Sequence, residues 1–184
     1  MKTITIISGS YSLSSRLNGL IEFIDHYYSQ EIHLNFIHVH QLSAKALITA
    51  DYSDPSILQA NQLVEESQGV IVATPTFKAS YSGILKTYLD LLPQHIFDNK
   101  VVLPLAIGGS SAHLLILKYA LEPVLSELGA QHIVHAVYTL DSQIKRRDGG
   151  GFELDADAGK RLSAALDYLK KLLAEPLMTK VTRF

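Results

Sequence analysis

Apolar positions along this chain fall into two patterns that take turns. Short, nearly continuous apolar runs occupy 3–8, 32–38 (IHLNFIH), 69–74 (GVIVAT), 100–107 (KVVLPLAI) and 131–138 (QHIVHAVY), and their length and β-branched content predict strands. Between them lie longer stretches with helical spacing, at 14–29, 55–67, 81–92, 111–129 and 156–174. Asp54 followed by Pro55 marks one helix start, and Gly129 marks one helix end. The run Gly69 to Thr74 is too uniformly apolar for a sheet with one wet face, so it reads as a central strand covered on both sides. Five strand-helix units in alternation predict a doubly wound α/β parallel sheet. Two segments, Leu42 to Ser53 and Ser142 to Glu153, carry neither pattern, and the GGGF within the second reads as a hinge or a disordered tip.

Composition narrows the class. The 184 residues suit one domain, and an apolar fraction of 47% with 18% charged residues excludes disorder. No apolar run approaches the roughly 20 residues that span a bilayer. The opening MKTITIISGS reads as a strand and not as a signal peptide. With no cysteine there is no disulfide, thiolate nucleophile or Cys-based metal site, and an intracellular, cytoplasmic setting is the default expectation. The eight histidines are scattered without metal-ligand spacing. A net charge of −2 gives no general attraction to nucleic acid, so an anionic ligand must be held by local donors.

Such donors cluster after the first strand. The stretch Ser8-Gly9-Ser10-Tyr11-Ser12-Leu13-Ser14-Ser15-Arg16 holds five serines, one arginine and no carboxylate, directly before a helix. Hydroxyls and free amides at a helix start can surround a phosphate dianion, and Arg16 adds charge. The stretch matches neither GxxxxGK[ST] nor GxGxxG, so a single phosphate is indicated. Helix capping by one of the serines is the plainer alternative. After the third strand, TPTFKASYSGILKTYLDLL places Pro75, Thr76, Phe77 and Lys78 at the strand's C-terminal edge, with Gly83 allowing a close backbone approach. After the fourth, Ile107-Gly108-Gly109-Ser110-Ser111-Ala112-His113 makes a tight turn with bare amides, although paired glycines also occur as turn chemistry alone. One phosphate-type loop and two ring-type loops at one sheet edge suit a mononucleotide with an aromatic base, FMN best. A phosphate loop after the first of five strands favours the flavodoxin-like order 2-1-3-4-5, with the ligand at the switch between strands 1 and 3.

The helix at 111–129 holds a conflict. Leu114, Leu115, Ile116 and Leu117 are consecutive, so the helix is apolar on more than one side and a second subunit is expected to cover it. Pro123 then lacks the N–H that the Tyr119 carbonyl needs, which predicts either a plain kink or a π-bulge at Tyr119.

Taken together, GSYSLSSR, TPTFKASYSGILKTYLDLLP, KVVLPLAIGGSSAHLL and KYALEPVLSELGAQ resemble the NADPH-dependent FMN reductase family, most closely the SsuE-like reductases of two-component alkanesulfonate monooxygenase systems, over residues 3 to 142. The resemblance implies reduction of free FMN by NADPH, delivery of FMNH2 to a flavin monooxygenase, and a dimer or tetramer built through 111–129. It implies that Ser8, Ser10, Ser12, Ser14, Ser15 and Arg16 hold the phosphate. It implies that Pro75, Thr76, Phe77, Lys78 and Tyr81 frame the isoalloxazine with Gly108, Gly109, Ser110, Ser111 and His113, and that Tyr119 is the residue inserted into a π-helix. This chain departs from the family pattern in two places: Tyr11 and Ser12 stand where an arginine is frequent, and Phe77 replaces a usual tyrosine. No residue is expected to act as a general acid, since the flavin carries the chemistry. Lys78 reads equally as support for charge developing on the ring or as a solvated lysine, and His113 reads as a positioning or packing residue. Two alternatives differ in what becomes of the flavin: an electron-transfer module, and a quinone or azo reductase with tightly bound FMN. The run Lys145, Arg146, Arg147 suits either a 2′-phosphate or a solvated loop.

Overall fold

The computed structural model describes residues 1–29 and 31–175, so the reading of 1–184 as one domain extends over residues that lie outside this range. In chain order the strands are β1 (Lys2–Ser8), β2 (Ile32–His38), β3 (Gly69–Phe77), β4 (Ser80–Tyr81), β5 (Val101–Gly108), β6 (His132–Ile133), β7 (Val137–Leu140), β8 (Ile144–Arg146) and β9 (Phe152–Leu154). The α-helices are α1 (Leu17–Tyr28), α2 (Ala44–Thr49), α3 (Pro55–Glu66), α4 (Gly83–Leu89), α5 (Glu122–Glu127) and α6 (Ala156–Ala174).

The parallel core of the sheet runs β2-β1-β3-β5, with β6 and β7 sharing the place beside β5. This is the flavodoxin-like order, with the last strand broken in two. The break has a cause in β5. Val134 N–H donates to the Val102 carbonyl at 2.8 Å, so Val102 turns its polar groups towards β6. Pro104, two residues on, turns the same way and has no N–H to offer. The partner strand leaves the ladder there and rejoins at Val137 opposite Leu105.

Two apolar layers sandwich the sheet. On one face Ile7, Val70, Val72, Val102 and Ala106 pack against Ile57, Val64, Leu85, Tyr88 and Leu121. On the other, Ile4, Ile6, Ile71, Leu103 and Leu105 pack against Leu20, Ile24, Leu162, Leu166 and Leu169. Central strands β3 and β5 are buried almost throughout, as their unbroken apolar runs require.

The structure corrects the sequence reading in four places. The helix expected at 14–29 starts at Leu17, and the one expected at 81–92 spans Gly83–Leu89, because Ser80 and Tyr81 pair with Phe77 and Thr76 as β4. Residues 42–53 contain α2, started by the Ser43 hydroxyl, which accepts the Ala46 N–H. Residues 142–153 form no loose tip. Ile144–Arg146 and Phe152–Leu154 pair as an antiparallel hairpin whose Ile144 and Phe152 are buried. A Cβ on Gly19 of α1 would lie 2.7 Å from the Ile144 side chain and 2.9 Å from that of Phe152, so a glycine there lets the hairpin seat on α1.

At the opposite sheet edge, half-buried His38 lies 5.9 Å from the His40 ring, and burial, followed by the charge of His40, lowers its pKa from 6.5. The unfolded chain therefore binds this proton more readily than the folded one. The corresponding stability is present above about pH 6.5 and is lost as pH falls towards the lower folded value. The thermal midpoint is expected to fall between pH 7 and pH 5, and His38→Gln to flatten that slope; an unchanged slope in the variant would place the acid sensitivity elsewhere.

Candidate functional site

Three loops meet at the C-terminal ends of β1, β3 and β5, and hydrogen bonds stitch them together. Ser82, the N-cap of α4, donates its hydroxyl to the Gly9 carbonyl at 2.6 Å, while its own amide donates to Thr74 Oγ1 at 2.9 Å. Gly9 has to be a glycine: a Cβ there would lie 2.7 Å from Leu85 Cβ and 2.8 Å from Ser82 Oγ. The Tyr11 hydroxyl accepts the Ile84 N–H at 3.4 Å, and the Tyr11 ring meets Phe77 edge-on at 5.7 Å. Between β3 and β4, Lys78 and Ala79 both adopt left-handed backbone, with φ of 49° and 58°. Neither residue favours that region, at a cost of about 1 kcal/mol or more each. Such strain persists where the surrounding structure dictates it, and here it turns Phe77 outward, 51% exposed, at the mouth of a cleft.

The serine loop divides its labour. Ser8 is buried, and its Oγ has no hydrogen-bond partner. Ser10 Oγ donates to the Ser12 carbonyl at 2.8 Å, Ser12 Oγ and Ser14 Oγ share a bond at 2.8 Å, and Ser15 Oγ accepts the Leu17 N–H at 3.2 Å. These hydroxyls shape the loop and open α1. His40 Nδ1 lies 3.1 Å from the Ser10 carbonyl and ties the end of β2 to the same loop.

A cleft of about 260 Å³ lies among the loops, lined by Ser15, Arg16, Pro75, Thr76, Phe77, Ile107, Gly108, Asp141 and Arg146. Six of the residues expected from sequence (Ser15, Arg16, Pro75, Thr76, Phe77 and Gly108) stand in this wall, so the first, second and third loops all contribute. Lys78 and Tyr81 sit on the β3–β4 hairpin, while Gly109, Ser110, Ser111 and His113 follow β5 along the turn and a short 3-10 segment. Asp141 was not expected from sequence, and Arg146 was read only within a charge run. A larger cleft of about 790 Å³, lined in part by Tyr52, Leu58, Leu89, Pro93, Pro123 and Val124, shares no residue with the three loops.

Three observations test whether a flavin fits. Thr76 Oγ1, in the cleft wall, is buried without a hydrogen-bond partner. A Cβ on Gly109 would make an ordinary contact with the Asp141 carboxylate at 3.8 Å, so the backbone there is only lightly covered. At Gly108 the opposite holds: a Cβ would overlap the Tyr138 hydroxyl and lie 3.0 Å from Thr76 Oγ1. The residues present suit a planar heteroaromatic ring against 75–77 and 108–109, with its phosphate towards Ser15 and Arg16.

The helix after the third loop carries the irregularity that Pro123 announced. Leu117–Leu121 is π-helical, and the Glu122 N–H reaches back five residues to the Leu117 carbonyl. The apolar run splits as its crowding requires: Ile116 and Leu117 are buried, whereas Leu114, Leu115 and Tyr119 are 49%, 55% and 75% exposed.

A flavodoxin-like sheet with three loops meeting at its switch point is a scaffold on which flavin-dependent oxidoreductases are built. Residues 1–145 match the family model for NADPH-dependent FMN reductase, and the chain belongs to that family. It is 41% identical over 145 residues to the FMN reductase (NADPH) of Escherichia coli (strain K12), covering 78% of this chain and 75% of that protein. It is 42% identical over 144 residues to the protein of the same name from Pseudomonas putida, covering 78% and 73%. Among solved structures, an NADH:FMN oxidoreductase (EMOB) in its apo form superposes with a TM-score of 0.84 at 37% identity, over 96% of this chain and 92% of that one. The chain is accordingly an FMN reductase by family, with FMN and NAD(P)H as its cofactors. Among the described residues no helix is long and apolar enough to cross a membrane.

Proposed function

We propose that this protein reduces free FMN with NADPH in the cytoplasm and releases the product to a flavin-dependent monooxygenase, in alkanesulfonate desulfonation and sulfur assimilation. The observation that carries the release step is the exposure of the ring site: Phe77 is 51% exposed, and Gly109 is covered only by the Asp141 carboxylate. A flavin held there keeps one face free for the nicotinamide and a way out. The flavin supplies the hydride-accepting chemistry. The chain's own residues position it: Pro75, Thr76, Phe77 and Tyr81 frame the ring, Ser8 to Ser15 shape the phosphate loop, and Arg16 supplies charge. The amides of Gly108 to Ser111 would stabilise negative charge growing on the ring, with support from Lys78, and His113 would help position the turn. Exposed Leu114, Leu115 and Tyr119 support a homo-oligomer built through 111–129.

The test is steady-state oxidation of NADPH as FMN is added. Saturation with FMN, and reduced flavin recovered in solution under anaerobic conditions, are expected. One flavin retained per chain, with turnover only when a quinone or azo compound is supplied, would move the assignment to a reductase with tightly bound FMN.

A further inference from the structure

The β8–β9 hairpin and the serine loop are joined by two reciprocal bonds. Arg16, at the end of the loop, donates Nε–H to the Ile144 carbonyl of the hairpin at 3.2 Å. Arg146, on the hairpin, donates from Nη2 to the Ser14 carbonyl of the loop. Both side chains line the cleft beside Ser15. Among the described residues neither takes part in an ion pair, and the acidic group in the same wall is Asp141. Two guanidinium groups facing one cleft repel each other unless an anion sits between them.

Arg146 is held in place there. Its guanidinium lies 5.2 Å over the Phe152 ring, Phe152 is buried against Gly19, and the Phe152 amide donates to Glu22 at 3.0 Å. The base of the hairpin is fixed by Gln143, whose carbonyl accepts the Asp155 N–H at 2.9 Å and whose Oε1 accepts the Leu140 N–H at 3.1 Å. One of the five guanidinium N–H groups is used on Ser14, which leaves others for a ligand. Arg146 lies just past the residues matched by the family model, in a segment whose glycine-rich sequence hides its order.

We propose that Arg16 and Arg146 form a two-arginine clamp for a phosphate monoester dianion, with Arg146 carried into the site by the β8–β9 hairpin. Forked, always-charged donors on both sides of an anion suit a phosphate better than a single loop of hydroxyls does. The placement against Ser14 and Ser15 makes the 5′-phosphate of FMN the first source, in which case the clamp rests on the function proposed above. The 2′-phosphate of NADPH offers the same chemistry.

The experiment compares wild type, Arg146→Gln, Arg146→Lys and Arg16→Ala by equilibrium fluorescence titration with FMN and with riboflavin, and by KM for NADPH and for NADH. Arg146→Gln is expected to weaken FMN about tenfold while leaving riboflavin within about twofold, and Arg146→Lys to recover part of the loss. Arg16→Ala is expected to discriminate in the same sense. A loss of NADPH preference over NADH with the two flavins unaffected would support the clamp on the nicotinamide donor instead. Thermal shift with inorganic phosphate gives an arm independent of either cofactor: phosphate should raise the midpoint of wild type and not of Arg146→Gln. Failure of wild type to bind FMN would overturn the flavin reading and leave this arm standing. Unchanged flavin and nicotinamide ratios, with an unchanged phosphate shift, would overturn the clamp.

Discussion

Deleting Tyr119 is expected to cut turnover on free FMN sharply, to leave flavin on the purified protein, and to change its elution on gel filtration. Glu122 N–H bonds to the carbonyl five residues back, one more than an α-helix uses. Removing one residue from Leu117–Leu121 lets the segment close with ordinary four-residue bonds, although Pro123 still leaves one carbonyl without a helical donor. The deleted side chain is 75% exposed, so the core loses little. What changes is the angular position of Leu114 and Leu115 relative to the turns that follow, on a surface proposed to meet a second subunit and directly after the loop proposed to frame the ring. A fall of about tenfold or more in FMN-dependent NADPH oxidation, equal to about 1.4 kcal/mol on the barrier, is expected. Absorbance after gel filtration reads the retained flavin. Unchanged elution, flavin content and turnover would make Tyr119 an ordinary surface aromatic.

The second large effect is expected at Gly108. An alanine there would drive its Cβ into the Tyr138 hydroxyl and to 3.0 Å from Thr76 Oγ1. The Tyr138 hydroxyl now donates to the Ser110 carbonyl at 2.9 Å and so fixes the turn after β5. Displacing it moves Ser110 and the amides beside the ring site, and a shift of about 1 Å at such a place costs about a hundredfold in rate. Overpacking of this kind also destabilises by about 1 to 3 kcal/mol. Adding Tyr138→Phe to Gly108→Ala removes the oxygen that the Cβ strikes. The pair is therefore expected to recover part of both the melting temperature and kcat/KM. If the double variant is no better than the single one, the tight contact with Thr76 decides the effect instead.

Much of this architecture is legible in local pattern. The buried runs of β3 and β5 appear as unbroken apolar sequence, Asp54-Pro55 starts α3, and the clash between Pro123 and helical spacing foretells an irregular helix, with the kink and the π-bulge both open until the resemblance is added. The glycine pair after β5 and the serine-rich stretch after β1 mark two of the loops that meet at the sheet edge, since those residue types respond to local geometry. What escapes is set by distance along the chain. The hairpin at 144–154 is ordered by Gly19 and Glu22, more than a hundred residues earlier. Read alone, Gly149 to Gly151 resembles a loose tip. Arg146 therefore reads as one charge in a solvated run, although its guanidinium lies over the Phe152 ring. The hydroxyls of Ser10 and Ser12 show the converse: their local signal is strong, and part of it serves the loop's own hydrogen bonds. Tyr81 looks like the start of a helix because the helical pattern follows at once. Its pairing with Thr76 becomes visible only with the strained turn at Lys78 and Ala79.

The gap between β6 and β7 also bears on how this molecule behaves in a crowd. An unbroken edge strand offers a row of free donors and acceptors to any extended chain that drifts by, and so seeds swapped dimers and fibrils. Here the outermost position beside β5 is filled by two pieces of two and four residues, separated where Pro104 withholds its N–H. Neither piece presents a template long enough to recruit a stranger, so one imino acid in β5 also guards this edge, though not the β2 edge, against aggregation.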